Sequence, residues 1–135
     1  MYEHILLPVA LTDPDDTAEA VAKARALISE NGRITLLHVV EQMPGYVEAH
    51  VPAEIHIQTQ DTARARIKSL ADGLGIAETV VLTGAVGRSI VHWADENKVD
   101  CIIMPSHQPT FSDLILGSSA AWVVRHAKTA VFVLR

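Results

Sequence analysis

"HILLPVALTDPDDTAEAVAKARALISENGRITLLHVV", residues 4–40, decides the architecture. It opens with the short apolar run "HILLPV" and stops at the turn-rich "TDPDD", as a strand buried on both faces of a sheet does. "TAEAVAKARALISENG" then sets Ala18, Val21, Ala22, Ala24, Arg25 and Ile28 at spacings near 3.6 residues. With Asp15 or Asp16 as N-cap and Asn31-Gly32 as the stop, this predicts a helix. "RITLLHVV", residues 33–40, is a second apolar strand.

The same rhythm continues along the chain. "EQMPGYVEAHVPAEI" carries two prolines and one glycine and reads as a long irregular connection, a place where function often resides. "AEIHIQTQDTARARIKSLADGLG" predicts a helix ending at Gly73 or Gly75, with the stripe Ile55, Ile57, Ala63, Ile67, Leu70 and Ala71, imperfect near its start. "AETVVLTG" is a third strand, "GRSIVHWADENK" a helix beginning near Ser89, and "VDCIIMPS" a fourth strand. "SSAAWVVRHA" and "TAVFVL" supply a last helix and strand, so five strands alternate with four helices. Such alternation implies right-handed crossovers and a parallel sheet covered on both faces.

At 135 residues with 49% hydrophobic content, the chain fits one domain, residues 1–135, that can bury a continuous core. No apolar run approaches the roughly 18 residues of a membrane span. A net charge of −5 gives no broad basic footprint and argues against nucleic acid as a partner. The single cysteine, Cys101, lies in the apolar run "CIIM" and reads as a small buried hydrophobe, so no intramolecular disulfide is possible. "MYEHILLPV" has no basic n-region, which makes the cytoplasm the expected compartment.

In a doubly wound sheet of the flavodoxin-like kind, order 3-2-1-4-5, ligands bind where the strand order reverses, between strands one and four. Pro8, Val9 and Ala10 would there face Met104, Pro105 and Ser106 across a crevice. Gly117, Ser118 and Ser119 open the following helix at the same edge, where backbone N–H groups, hydroxyls and the helix dipole favour an anion.

These segments resemble the universal stress protein family over the whole chain: "HILLPV", "ITLLHVVE", "ADENKVDCIIMPSH" and, most specifically, "LILGSSAAWVVRHAKTAVFVLR". The resemblance implies an adenine-nucleotide alpha hydrolase-like fold and, in nucleotide-binding members, a loop of form Gly-x2-Gly-x9-Gly-Ser/Thr around the ATP phosphates. Here Pro105 and Gln108 stand at the first two glycines, and eight residues separate Gln108 from Gly117. Proline removes an N–H donor and fixes φ, so this turn presents a different cradle. Ala10 stands where the family's Pro-x-Asp has its aspartate. Ser106, His107 and Pro109 match a branch with a shorter Ser-His/Arg-x-Pro loop, some of whose members bind ATP.

Carried over by resemblance, Val39 would meet adenine through its backbone, Pro8 and Val9 would shape the floor, and Ser106, Gly117, Ser118 and Ser119 would meet phosphates. His107 and Gln108 would add side-chain donors. The resemblance thus implies a dimeric stress-response regulator that binds ATP or a related adenine nucleotide, with Mg²⁺ possible and hydrolysis slow at most. The alternative is an interaction module with the same fold that binds no nucleotide, supported by Pro105, Gln108 and Ala10. The final strand would lie at a sheet edge, an aggregation hazard unless covered, and the family commonly pairs that edge with its twin. Ala130, Val131, Phe132, Val133 and Leu134 are the expected homodimer edge.

No catalytic or metal site is expected. Ser106-His107 are adjacent and lack a nearby acid. His50 and His56, six apart, do not share a helix face. His38, inside an apolar strand, reads as a hydrogen-bonded core histidine or a pocket wall, and the carboxylates of "TDPDD" as a helix cap in preference to a Mg²⁺ site.

Overall fold

The computed structural model describes residues 1–11, 14–105 and 117–134. Strand β1 (Tyr2–Pro8) is followed by α1 (Pro14–Leu27), β2 (Ile28–Glu41), α2 (Gly45–Glu48) and α3 (Ala53–Leu74). Then come β3 (Glu78–Gly84), α4 (Val86–Glu96), β4 (Cys101–Pro105), α5 (Ser118–His126) and β5 (Ala130–Leu134). All strand pairs are parallel and the order is β3-β2-β1-β4-β5, as the alternation implied.

β1 lies at the centre, and Ile5, Leu6 and Leu7 are completely buried. Because successive strand side chains point to opposite faces, Ile5 and Leu7 join Ala20, Val21 and Ala24 of α1 and Ile67 and Ala71 of α3. Leu6 joins Ile90 and Ala94 of α4 and Val123 of α5. β4 divides in the same way, Cys101 and Ile103 to the first face, Ile102 and Met104 to the second. Each fully buried aliphatic side chain contributes about 1.5–3 kcal/mol. Burial pushes the Cys101 thiol up to about 11, with the charge of Asp100 adding to it, so it packs as an inert hydrophobe.

Several sequence expectations are corrected. α1 starts at Pro14, which puts Asp15 and Asp16 in its first turn, where they complement the helix dipole, instead of at the N-cap. α1 ends at Leu27, before Asn31-Gly32, because Ile28 pairs with Tyr2 in the sheet. The register then jumps to His4↔Arg33, and the excursion between them packs Gly32 against Ile28. A Cβ on Gly32 would lie 2.6 Å from Ile28 Cγ1 and 3.0 Å from the Tyr2 carbonyl oxygen. The buried face of α1 is Thr17, Ala20, Val21 and Ala24, leaving Ala18, Ala22 and Arg25 exposed. The connection after β2 contains a one-turn helix, α2, making five helices among the described residues in place of four. α4 begins at Val86, three residues before Ser89.

α3 and α4 end by the same device. Ile76 N–H donates to the Ala71 carbonyl and Val99 N–H to the Ala94 carbonyl, the long closing bond of a Schellman motif. The left-handed residue is Gly75 (φ 72°) in one and Lys98 (φ 56°) in the other. The buried residues that follow, Ile76 and Val99, anchor both ends in the core.

At the N-terminal edge of the sheet, the Asp100 carboxylate accepts the backbone N–H groups of Glu3 and His4 at 2.9 and 3.0 Å. His4, buried beneath Trp93, donates from Nδ1 to the Asn97 carbonyl (3.1 Å), and its Nε2 meets Thr35 Oγ1 at 2.9 Å. Thr35 in turn reaches Glu78, which pairs with Arg33. Burial holds the His4 ring below its ordinary pKa of 6.5, with Arg33 adding and the Asn97 carbonyl, Glu78 and Asp100 opposing.

Lys98→Gly relieves a left-handed residue that carries a Cβ and should stabilise by about 0.5–1 kcal/mol, while Gly75→Ala should destabilise by about 1 kcal/mol in urea titrations. The unfolded chain takes up a proton on His4 near pH 6.5 and the folded chain resists it. Stability present above that pH is therefore lost as pH falls below it. The urea midpoint should drop between pH 7 and 5.5, and His4→Gln should flatten that drop; an unchanged slope in the variant would count against the assignment.

Candidate functional site

At the C-terminal ends of β1, β2 and β4 the strand order reverses, and a cavity of about 1120 Å³ opens there. It is slightly larger than the roughly 300–1,000 Å³ usual for small-molecule sites. Pro8, Val9, Ala10, Val39, Met104, Pro105, Gly117, Ser118 and Ser119, singled out in the sequence, all line it. Ser106, His107 and Gln108 lie outside the described residues.

The floor is held by backbone geometry. Val9 N–H donates to the Leu37 carbonyl at 2.8 Å, extending the β1–β2 ladder one residue beyond Pro8. The Val9 carbonyl accepts from His38 Nδ1 at 2.7 Å, which places the proton on Nδ1 and fixes the imidazole as part of the wall. Leu11, at φ 65°, turns the chain toward α1, and its carbonyl accepts from Arg66 Nη2 at 2.7 Å. A left-handed leucine costs about 1–2 kcal/mol and needs such support.

One end of the cavity is the start of α5. Gly117 is its extended N-cap (φ −61°, ψ 154°), and the first helical bond runs from Ala121 N–H to the Gly117 carbonyl. The N–H groups of Ser118, Ser119 and Ala120 have no intrahelical carbonyl to meet, and Gly117 has no side chain with which to cap them. Their dipoles give this end of the cavity positive potential.

A further wall was not read from the sequence. Ile55, Gln58, Thr59, Thr62 and Arg66 of α3 line the cavity, together with Asp16, Glu41, Val86 and Ile90. The signal was the flawed start of the α3 stripe. Ile55 and Ile57 are 49% and 58% exposed, so the expected apolar face begins only at Ala63. The first half of α3 overhangs the sheet end and presents polar side chains at helical spacing instead. Gln60 fastens it to Thr83 at the end of β3 (2.9 Å). Among the described residues, no group of three or more His, Cys, Asp or Glu side chains could hold a metal ion, and no helix is long and apolar enough to cross a membrane.

Residues 1–135 match the sequence model of the universal stress protein family. The chain belongs to that family. It is 31% identical to universal stress protein A homolog 2 of Coxiella burnetii over 140 residues, 99% of this chain and 95% of that one. The solved structure of the protein MJ0577 superposes with a TM-score of 0.80 at 24% identity, covering 99% of this chain and 96% of that one. The universal stress protein from Archaeoglobus fulgidus, solved in complex with dAMP, superposes with a TM-score of 0.64 at 19% identity, covering 99% and 98%.

Proposed function

We propose that this universal stress protein binds an adenine nucleotide, ATP or a related one, in the β1/β4 crevice and acts as a dimeric regulator in the cytoplasm. The observation that carries the reading is the convergence of Pro8, Val9 and Ala10, the Val39 backbone and the α5 N-terminus on one cavity. The nucleoside has an apolar floor and the phosphates a helix start, with Mg²⁺ accompanying a polyphosphate. The dAMP complex of the Archaeoglobus relative supports the choice of base. We assign no catalytic residue to the cavity and expect turnover to be slow at most.

A second reading, an interaction module without nucleotide, draws on Ala10 and Pro105. Ala10 brings no carboxylate to the nucleoside, and Pro105 offers no N–H to a phosphate. Calorimetric titration with ATP and AMP, with and without Mg²⁺, on protein stripped of nucleotide separates the two. Binding at millimolar or lower concentration is expected, and silence at that concentration would leave the interaction module standing. Gly117→Val should weaken binding about tenfold or more. Its φ of −61° suits valine, so the loss would report crowding of the cavity and not backbone strain.

The dimer reading rests on β5, which pairs only with β4 in this sheet. Its side chains are half-buried except Phe132, 40% exposed, whose ring meets Tyr2 edge-on at 6.3 Å. Such an edge is covered when a second copy pairs along Ala130, Val131, Phe132, Val133 and Leu134. Light scattering at micromolar concentration should give twice the chain mass, and Phe132→Lys should give monomer by placing a charge on the exposed edge side chain. A monomer in the unaltered protein would exclude this interface.

A further inference from the structure

A second cavity, of about 720 Å³, adjoins the first and shares Glu41, Val86, Ser118 and Ser119 with it. The first turn of α5 thus stands between the two. The far wall of the second cavity is built by Arg88, in the first turn of α4, and Trp122 of α5. A Cβ on Gly87 would lie 2.9 Å from Trp122 Cβ, so the two helices touch at this point. The Arg88 guanidinium sits 5.8 Å from the centroid of the Trp122 ring, within cation–π reach.

Arg88 is the only lysine or arginine among the described residues lining the second cavity. Arg66 is committed at the other end of the first cavity, where it bonds the Leu11 carbonyl. Pro105 has no N–H to offer a phosphate chain leaving the crevice. The Glu41 carboxylate, on the border of both cavities, repels an anion on the β2 side and leaves the α4 side as the favourable route. A guanidinium is the side chain best shaped for the oxygens of a terminal phosphate.

We infer that Arg88 is a specificity-determining residue that reads the length of the phosphate chain, favouring a nucleoside di- or triphosphate over a monophosphate by engaging the phosphates that extend past α5 into the second cavity. The inference rests on the nucleotide reading above and adds to it a residue outside the crevice.

The test is calorimetric titration of the unaltered dimeric or monomeric protein, and of Arg88→Gln and Arg88→Lys, with AMP, ADP and ATP in the presence of Mg²⁺. Arg88→Gln should weaken ATP and ADP about tenfold and leave AMP within about twofold, and Arg88→Lys should recover part of the ATP affinity. Equal losses for all three nucleotides, or no loss for any, would overturn the inference while leaving nucleotide binding intact. If the unaltered protein binds none of the three, the nucleotide reading itself fails and this inference with it. A second readout is the fluorescence of Trp122 in a Trp93→Phe background, where ATP should change the emission and AMP should not. The same change with both would also overturn the inference.

Discussion

The structure depends on the position of β1 between β2 and β4. A strand hydrogen-bonded on both edges and carrying Ile5, Leu6 and Leu7 in succession has no face that tolerates water. Both faces must therefore be covered, and only helices in crossover connections can do so in a parallel sheet. α1 and α3 cover one face, and α4 and α5 the other. Because the chain winds outward from β1 first one way and then the other, the connections leaving β1 and β4 diverge. The cavity is the space that this divergence leaves open at the strand ends.

The two ends of the sheet meet different demands with polar groups. At the N-terminal end, the Asp100 carboxylate satisfies backbone N–H groups that would otherwise lack partners at the edge of β1, and His4 bonds to both the end of α4 and β2. At the C-terminal end, the same kinds of backbone group line a cavity instead. The Val9 carbonyl is held by His38, the Leu11 carbonyl by Arg66, and the first N–H groups of α5 face the opening. One end is closed by side chains that consume its hydrogen-bonding capacity; at the other, side chains hold two carbonyls while the first residues of α5 line the cavity.

α3 links fold and site. Its second half is an ordinary core helix through Ala63, Ile67 and Ala71. Its first half runs past the sheet and forms a polar wall, fixed by Gln60 to β3 and by Arg66 to the turn after β1. The left-handed Leu11 is tolerable because a side chain from another element holds its carbonyl.

The strand–helix rhythm, the strand order, the family and nine cavity-lining residues were legible in the sequence, because each depends on short-range pattern or on a motif read along the chain. The errors lay where long-range contact overrode that pattern. Ile28 fits a helical stripe, yet pairing with Tyr2 draws it into β2. Ile55 and Ile57 have the composition of a core face, yet both are exposed, Ile55 at the cavity. The Arg66 hold on Leu11, the His4 network and the approach of Arg88 to the Trp122 ring join residues tens of positions apart. Periodicity says which face of an element is buried but not which atoms meet across the interface. Those partners are set only when the helices dock on the twisted sheet.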